Sequence, residues 1–150
     1  MKRPPVILAS ASPRRVDLLR QLVPEFEVIP SAAPEVHDEQ LTAWEMAQVN
    51  AYRKARAVAK QFPDTLVVAA DTMVYLDRDA KLFGKPAHRA EAERMLTELA
   101  GRVHAVITGV CLLHLRGHRQ RVFAEWTDVR FHPLTPKQIR DYLALMNPLD

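Results

Sequence analysis

With 150 residues, 48% of them apolar, the chain is long enough for one domain with a proper core and a possible small second lobe. A formal charge of +3 is too small to imply a nucleic-acid partner, and a single cysteine, Cys111, excludes an intramolecular disulfide. No apolar run approaches the roughly 20 residues of a membrane span. Met1-Lys2-Arg3 leads through Pro4-Pro5 only to Val6-Ile7-Leu8-Ala9, which is too short for a signal peptide, so the chain reads as cytoplasmic with no membrane partner.

Val6-Ile7-Leu8-Ala9 reads as a short buried strand. Ser12 then has the character of a helix N-cap, with Pro13 at the first helical position, where its missing N–H costs nothing. Arg14 and Arg15 fall in the first turn, at the end where the helix dipole is already positive. Cations there suggest an anion between strand and helix, and the unevenness of residues 1–20 agrees: Lys2, Arg3, Arg14, Arg15 and Arg20 stand against Asp17 alone. That helix runs from Pro13 to about Val23. Phe26 to Ile29 is a second strand, and PSAAPEVHDEQ, residues 30–40, is a polar loop carrying Glu35, His37, Asp38 and Glu39.

Thr42 caps a long helix to about Phe62, with Trp44, Ala47, Ala51, Ala55 and Val58 as its apolar stripe. Leu66 to Ala70 is a continuous apolar run of the kind buried on both faces of a sheet, and it breaks at Asp71-Thr72. Met73 to Leu76 continues it, Asp77-Arg78-Asp79 turns, and Lys81 to Phe83 returns toward Gly84-Lys85-Pro86. A helix from Arg89 to Ala100 ends at Gly101. Val103 to Leu115 and Arg119 to Phe131 form a hairpin around Gly117, and Thr135-Pro136 opens a last helix to about Leu145. Asn147-Pro148-Leu149-Asp150 reads as a loop leaving that helix for another element. The alternation of strands and helices followed by a hairpin predicts an α/β fold with a mixed sheet.

The chemistry-bearing residues narrow the function classes. No GxxxxGKS or GxxxxGKT loop, GxSxG, HExxH or CxxC occurs. Of the 6 histidines, His114 and His118 alone have a metal-like spacing, and on a hairpin that spacing does not converge. Asp71, where the apolar strand run ends, is placed where open α/β sheets bind ligands. It can hold a divalent cation or activate water. Glu35, Asp38, Glu39 and Asp71 are the candidate metal ligands, and oxygen donors suit Mg²⁺ or Mn²⁺, which arrive with substrate phosphates. With Arg14, Arg15, Lys54 and Lys85 as cations for phosphate oxygens, the set is what phosphoanhydride hydrolysis requires.

At this point the motifs become familiar. LASASPRRVDLL is similar to LAS-x-SPRR-x-x-LL, NAYRKARAVA to an A-x-x-KA helix, VVAADTMV to a strand ending in ADT, FGKP to a GKP turn, and LAGRVHAVITGV to L-SG-x-x-H-x-V-x-TGV. In this order they resemble the Maf family of nucleoside triphosphate pyrophosphatases, and SPRR with ADT resembles its dTTP/UTP branch. The resemblance implies a fold related to the inosine triphosphate pyrophosphatases, with two lobes around a cleft. It also implies a frequent homodimer and hydrolysis between the α- and β-phosphates to the monophosphate and pyrophosphate. Residue by residue, it makes Asp71 the catalytic acidic residue, as base or as metal ligand. It makes Ser10, Arg14, Arg15, Lys54 and Lys85 phosphate contacts, and Arg14 and Thr72 specificity positions. Glu35 and the Asp38-Glu39 pair both remain candidates for the family's acidic position. The family pattern continues past PLD with a segment like KAGAYGIQ, so the resemblance implies a domain that lacks its C-terminal part. Two alternatives to the pyrophosphatase stay open: a non-catalytic nucleotide- or nucleic-acid-binding regulator of cell division, and a phosphatase releasing orthophosphate.

Overall fold

The computed structural model describes residues 3–76 and 81–146. The turn expected at Asp77-Arg78-Asp79 and the tail Asn147 to Asp150 lie outside the described residues. In chain order the elements are β1 (Val6–Leu8), α1 (Pro13–Arg20), β2 (Glu27–Val28), α2 (Ala43–Ala59), β3 (Leu66–Leu76), β4 (Lys81–Phe83), α3 (Arg89–Leu99), β5 (Val103–His114), β6 (Arg119–Arg130) and α4 (Pro136–Leu145). The strands form one mixed sheet in the order β2-β1-β3-β5-β6, with β4 also paired to β3. β1 is parallel to both β2 and β3, with Ile7 opposite Glu27 and Val67, whereas β4 is antiparallel to β3. The expected mixed α/β sheet is therefore present.

The chain divides into two compact units, Met1–Thr72 with Thr108–Glu125, and Met73–Ile107 with Trp126–Asp150. In the first unit Ile7, Ala51, Ala55, Val58, Val67 and Cys111 form the core, with Tyr52 and Phe62 packed against it. Small residues on α2 let the helix lie close to the sheet. The closest approach is at Gly109, where an added Cβ would fall against the Ala47 carbonyl and 2.7 Å from the Gln48 nitrogen. Cys111 is fully buried, and burial pushes its thiol up to about 11, which makes it an inert core residue as expected. In the second unit, among the described residues, Leu76, Phe83 and Leu99 pack around Met95 and Phe131, and Ala92, Ile139 and Leu143 pack where α3 meets α4.

Local chemistry sets the helix starts. Ser12, Thr42 and Thr135 each accept an N–H of the first turn through the side chain, and Thr42 and Thr135 complete capping boxes with Glu45 and Gln138. Gly101, at φ +71°, follows α3 in the left-handed conformation that ends helices. The turn between β5 and β6 takes its left-handed residue at His118, φ 51°, rather than at Gly117. Gly117 instead gives its N–H to His114 Nδ1 at 3.0 Å, so that histidine serves the turn.

Three sequence expectations need correction. α1 stops at Arg20, because Gln21 and Leu22 fold back onto the Leu18 and Leu19 carbonyls in a tighter final turn. Trp44 is 40% exposed: Met46 takes the buried place in the first turn, and the stripe begins at Ala47. β3 runs unbroken through Asp71 and Thr72; from Leu66 to Met73 it is buried on alternate residues, at Val67, Ala69, Asp71 and Met73, and Leu76 is buried beyond them. Asp71 thus lies inside a strand, not at its end.

Candidate active site

Within the first unit, β3, α2 and the loop before α2 bring three charged side chains together. Asp71 is 3% exposed, and its Oδ1 accepts a hydrogen bond from Lys54 Nζ at 2.8 Å. The same ammonium donates to Glu35 Oε1 at 3.2 Å. Asp71 Oδ2 is buried and has no hydrogen-bond partner among the described residues. Burial raises the Asp71 carboxyl above its ordinary value; Lys54 opposes that rise, Glu35 adds to it, and the Asn50 amide opposes it. A carboxylate held back from ionisation by its surroundings, next to a lysine, is a common sign of a working site.

Asn50 explains why Glu35 is there at all. It is 1% exposed and lies one turn before Lys54 on α2. Its Oδ1 accepts the Val36 N–H at 2.7 Å and its Nδ2 donates to the Val36 carbonyl at 3.2 Å. The side chain therefore pairs with the loop backbone as a strand would and pins residue 36 to the helix. Glu35, the preceding residue, is delivered beside Lys54. Sequence reading passed over Asn50; the signal was a poor helix former placed beside the small apolar stripe of α2.

A second group lies around residues 70 and 72. Arg15 donates from Nη1 to the Ala70 carbonyl at 2.9 Å and from Nη2 to Thr72 Oγ1 at 3.1 Å. Thr72 Oγ1 is 3.0 Å from Thr108 Oγ1 on β5. Arg15, expected at a phosphate, thus grips β3. Thr108 stood in the TGV segment without a role in the sequence reading. Ser10 is buried and its Oγ accepts the Ser12 N–H at 3.1 Å, which shapes the loop before α1. Arg14 is exposed on the first turn of that helix, which carries no acidic residue to compete for an anion.

The remaining candidates are Asp38, Glu39 and Lys85. Asp38 is exposed and its Oδ1 accepts the Gln40 N–H at 2.8 Å, holding a local turn; Glu39 is exposed beside it. Among the described residues no three His, Cys, Asp or Glu side chains gather as a metal group, so the four acidic candidates do not converge. Lys85 is exposed in the second unit, after β4.

The arrangement resembles known proteins in both fold and sequence. The Ham1 proteins of Staphylococcus aureus and Coxiella burnetii superpose with TM-scores of 0.57 and 0.55 at 18% and 16% identity. They cover 83% and 85% of this chain, and this chain covers 70% and 73% of them, which shows a shared fold. In sequence the chain is 47% identical over 148 residues to the dTTP/UTP pyrophosphatase of Symbiobacterium thermophilum, spanning 97% of this chain and 73% of the relative. It is 44% identical to that of Gloeobacter violaceus, spanning 97% and 74%. A family model described as Maf-like protein matches residues 5–150, from β1 through the buried Asp71 and Lys54 and onward: the chain belongs to the Maf family.

Proposed function

We propose that this Maf protein is a dTTP/UTP pyrophosphatase that hydrolyses the triphosphate to the monophosphate and pyrophosphate. The observation that carries the reading is the buried Asp71, hydrogen-bonded to Lys54 on one oxygen and without a partner among the described residues on the other. A buried ionisable carboxylate beside a lysine is costly as mere structure, and replacement by apolar residues is often neutral or better. Its burial with one oxygen free of hydrogen bonds among the described residues supports a chemical task.

The residues fit a divalent cation. Asp71 Oδ2 and Glu35 would hold it, since Mg²⁺ and Mn²⁺ prefer oxygen donors and take one or two carboxylates together with substrate phosphates. When bound, such a cation neutralises phosphate charge. Asp38 and Glu39 are not needed for this pair. In the same reading Asp71 takes the proton of the attacking water, or orients that water. Lys54 keeps Oδ1 fixed and faces the phosphates with its charge. Arg14 and the N–H groups at the start of α1 favour the anion. No described helix is long and apolar enough to cross a membrane. A cytoplasmic homodimer is part of the proposal and rests on the family resemblance.

The test is a panel of nucleoside triphosphates with Mg²⁺ or Mn²⁺, run on the parent chain and on Asp71→Asn. dTTP and UTP should be hydrolysed well ahead of CTP, ATP and GTP, and the variant should lose turnover by several orders of magnitude. Equal rates for parent and variant would remove Asp71 from the chemistry.

A further inference from the structure

The Arg15 contacts occur where the sheet runs out of neighbours. β1 ends at Leu8, and the Ala9 N–H makes the next bond to β3, at the Val68 carbonyl, 2.8 Å. Two residues further along the same edge of β3 is the Ala70 carbonyl, because alternate residues face the same neighbour. No residue of β1 reaches that far. Arg15 Nη1 takes the place of the missing strand and donates to Ala70 at 2.9 Å. Its other arm donates to Thr72 Oγ1, and Thr72 meets Thr108 at 3.0 Å. The residues immediately before and after Asp71 are thus tied down, one to α1 and the other to α1 and β5.

We infer that Thr108 is a positioning residue for catalysis, which acts with Arg15 through Thr72 to hold the Asp71 peptide in register. Thr72 Oγ1 receives an N–H from the guanidinium, so the threonine pair completes a chain Arg15–Thr72–Thr108 across three elements. The influence of Thr108 on Asp71 passes through Thr72 and the backbone of residues 70–72. The adjacent Gly109 faces the α2 side of the sheet, so Thr108 and Gly109 brace opposite faces of β5 at one level. A guanidinium fork suits this work because it serves two acceptors in a fixed geometry, which an ammonium cannot do.

The inference rests on the proposed pyrophosphatase activity, and its test has two arms so that the two readings fail separately. The first arm measures dTTP hydrolysis by Thr108→Val, Thr108→Ser, Arg15→Lys and the double variant Arg15→Lys/Thr108→Val. Thr108→Val should lower kcat roughly 10-fold to 100-fold with KM nearly unchanged, as expected for a misplaced catalytic group. Thr108→Ser should restore most of the rate. The double variant should be no worse than Arg15→Lys alone, because both single changes break one chain of contacts. Parental kcat in Thr108→Val, a rise in KM at constant kcat, or multiplied effects in the double variant would overturn the inference. The second arm follows amide hydrogen exchange at residues 70–73 in the ligand-free parent and Thr108→Val. Exchange should accelerate about 10-fold or more in the variant as local opening becomes easier. Unchanged exchange overturns the inference whether or not the parent releases pyrophosphate, and absence of pyrophosphate from the parent overturns the activity alone.

Discussion

Gly109→Ala places one methyl group where the geometry leaves no room. The new Cβ would lie 2.7 Å from the Gln48 nitrogen, with the Ala47 carbonyl nearer still. Comfortable contact for carbon is about 3.5–4.0 Å, so α2 must retreat by roughly 1 Å. Both neighbours are helix backbone, which cannot rotate aside as a side chain could. Overpacking of this kind costs about 1–3 kcal/mol, and for a chain this size each kcal/mol lowers Tm by about 2–4 °C. The expected fall in Tm is therefore about 2–12 °C. The functional loss should exceed what the unfolded fraction explains, because α2 carries Asn50 and Lys54 and a retreat of about 1 Å breaks the 2.8 Å contact to Asp71. A misplacement of that size can cost about 100-fold in rate. The assays are thermal unfolding followed by circular dichroism, and dTTP hydrolysis well below Tm. Gly84→Ala is the control, since nothing lies within 4 Å of a Cβ there. Parental Tm and kcat in Gly109→Ala, or equal damage in Gly84→Ala, would refute the close approach as the reason for this glycine.

Asp71→Asn should abolish turnover yet leave the fold more stable at neutral pH. The folded protein holds the Asp71 proton above the ordinary value of 3.8, so ionising it costs stability as pH rises from that value through the raised one. Urea unfolding of parent and variant from pH 3 to 8 should show the variant's advantage opening across that window; a variant less stable at pH 7 would contradict the sign. Asn50→Ala leaves both polar groups of Val36 without their side-chain partner and should cost about 1–3 kcal/mol by urea unfolding. It should also slow turnover by loosening Glu35, and a variant as stable and active as the parent would exclude the pinning role. His104 is 4% exposed, and burial lowers its affinity for protons from the ordinary 6.5. The unfolded chain binds that proton more readily, so stability should fall as pH drops below 6.5, and His104→Phe should flatten this part of the profile.

Features that depend on neighbouring residues were legible in the sequence. Ser12, Thr42 and Thr135 cap helices because a hydroxyl needs only the next turn to bond. Gly101 ends α3 because the left-handed conformation is a local requirement. The apolar spacing of Ala47, Ala51, Ala55 and Val58 located the buried face of α2, while Trp44 misled because the pattern does not say where the helix leaves the sheet. Asp71, Lys54 and Glu35 were legible as residue types, but their meeting is tertiary: it depends on Asn50 pairing with the Val36 backbone, an interaction across 14 residues with no local signature. Arg15 was read as a phosphate ligand because cations in a first turn call for an anion. Its contact with the Ala70 carbonyl, beyond the end of β1, emerges only when strand lengths are known. Thr108 and Gly109 stood in a recognisable motif, yet what each touches follows from the sheet order.

The central claim is that this site cleaves a nucleoside triphosphate so that pyrophosphate leaves as one piece. ³¹P NMR of dTTP turnover in the presence of Mg²⁺, with no other phosphatase present, tests this directly. The account predicts dTMP and pyrophosphate accumulating in equal amounts, with no orthophosphate and no dTDP, and none of these signals with Asp71→Asn. Orthophosphate with dTDP, or dTTP left intact by the parent protein, would contradict it.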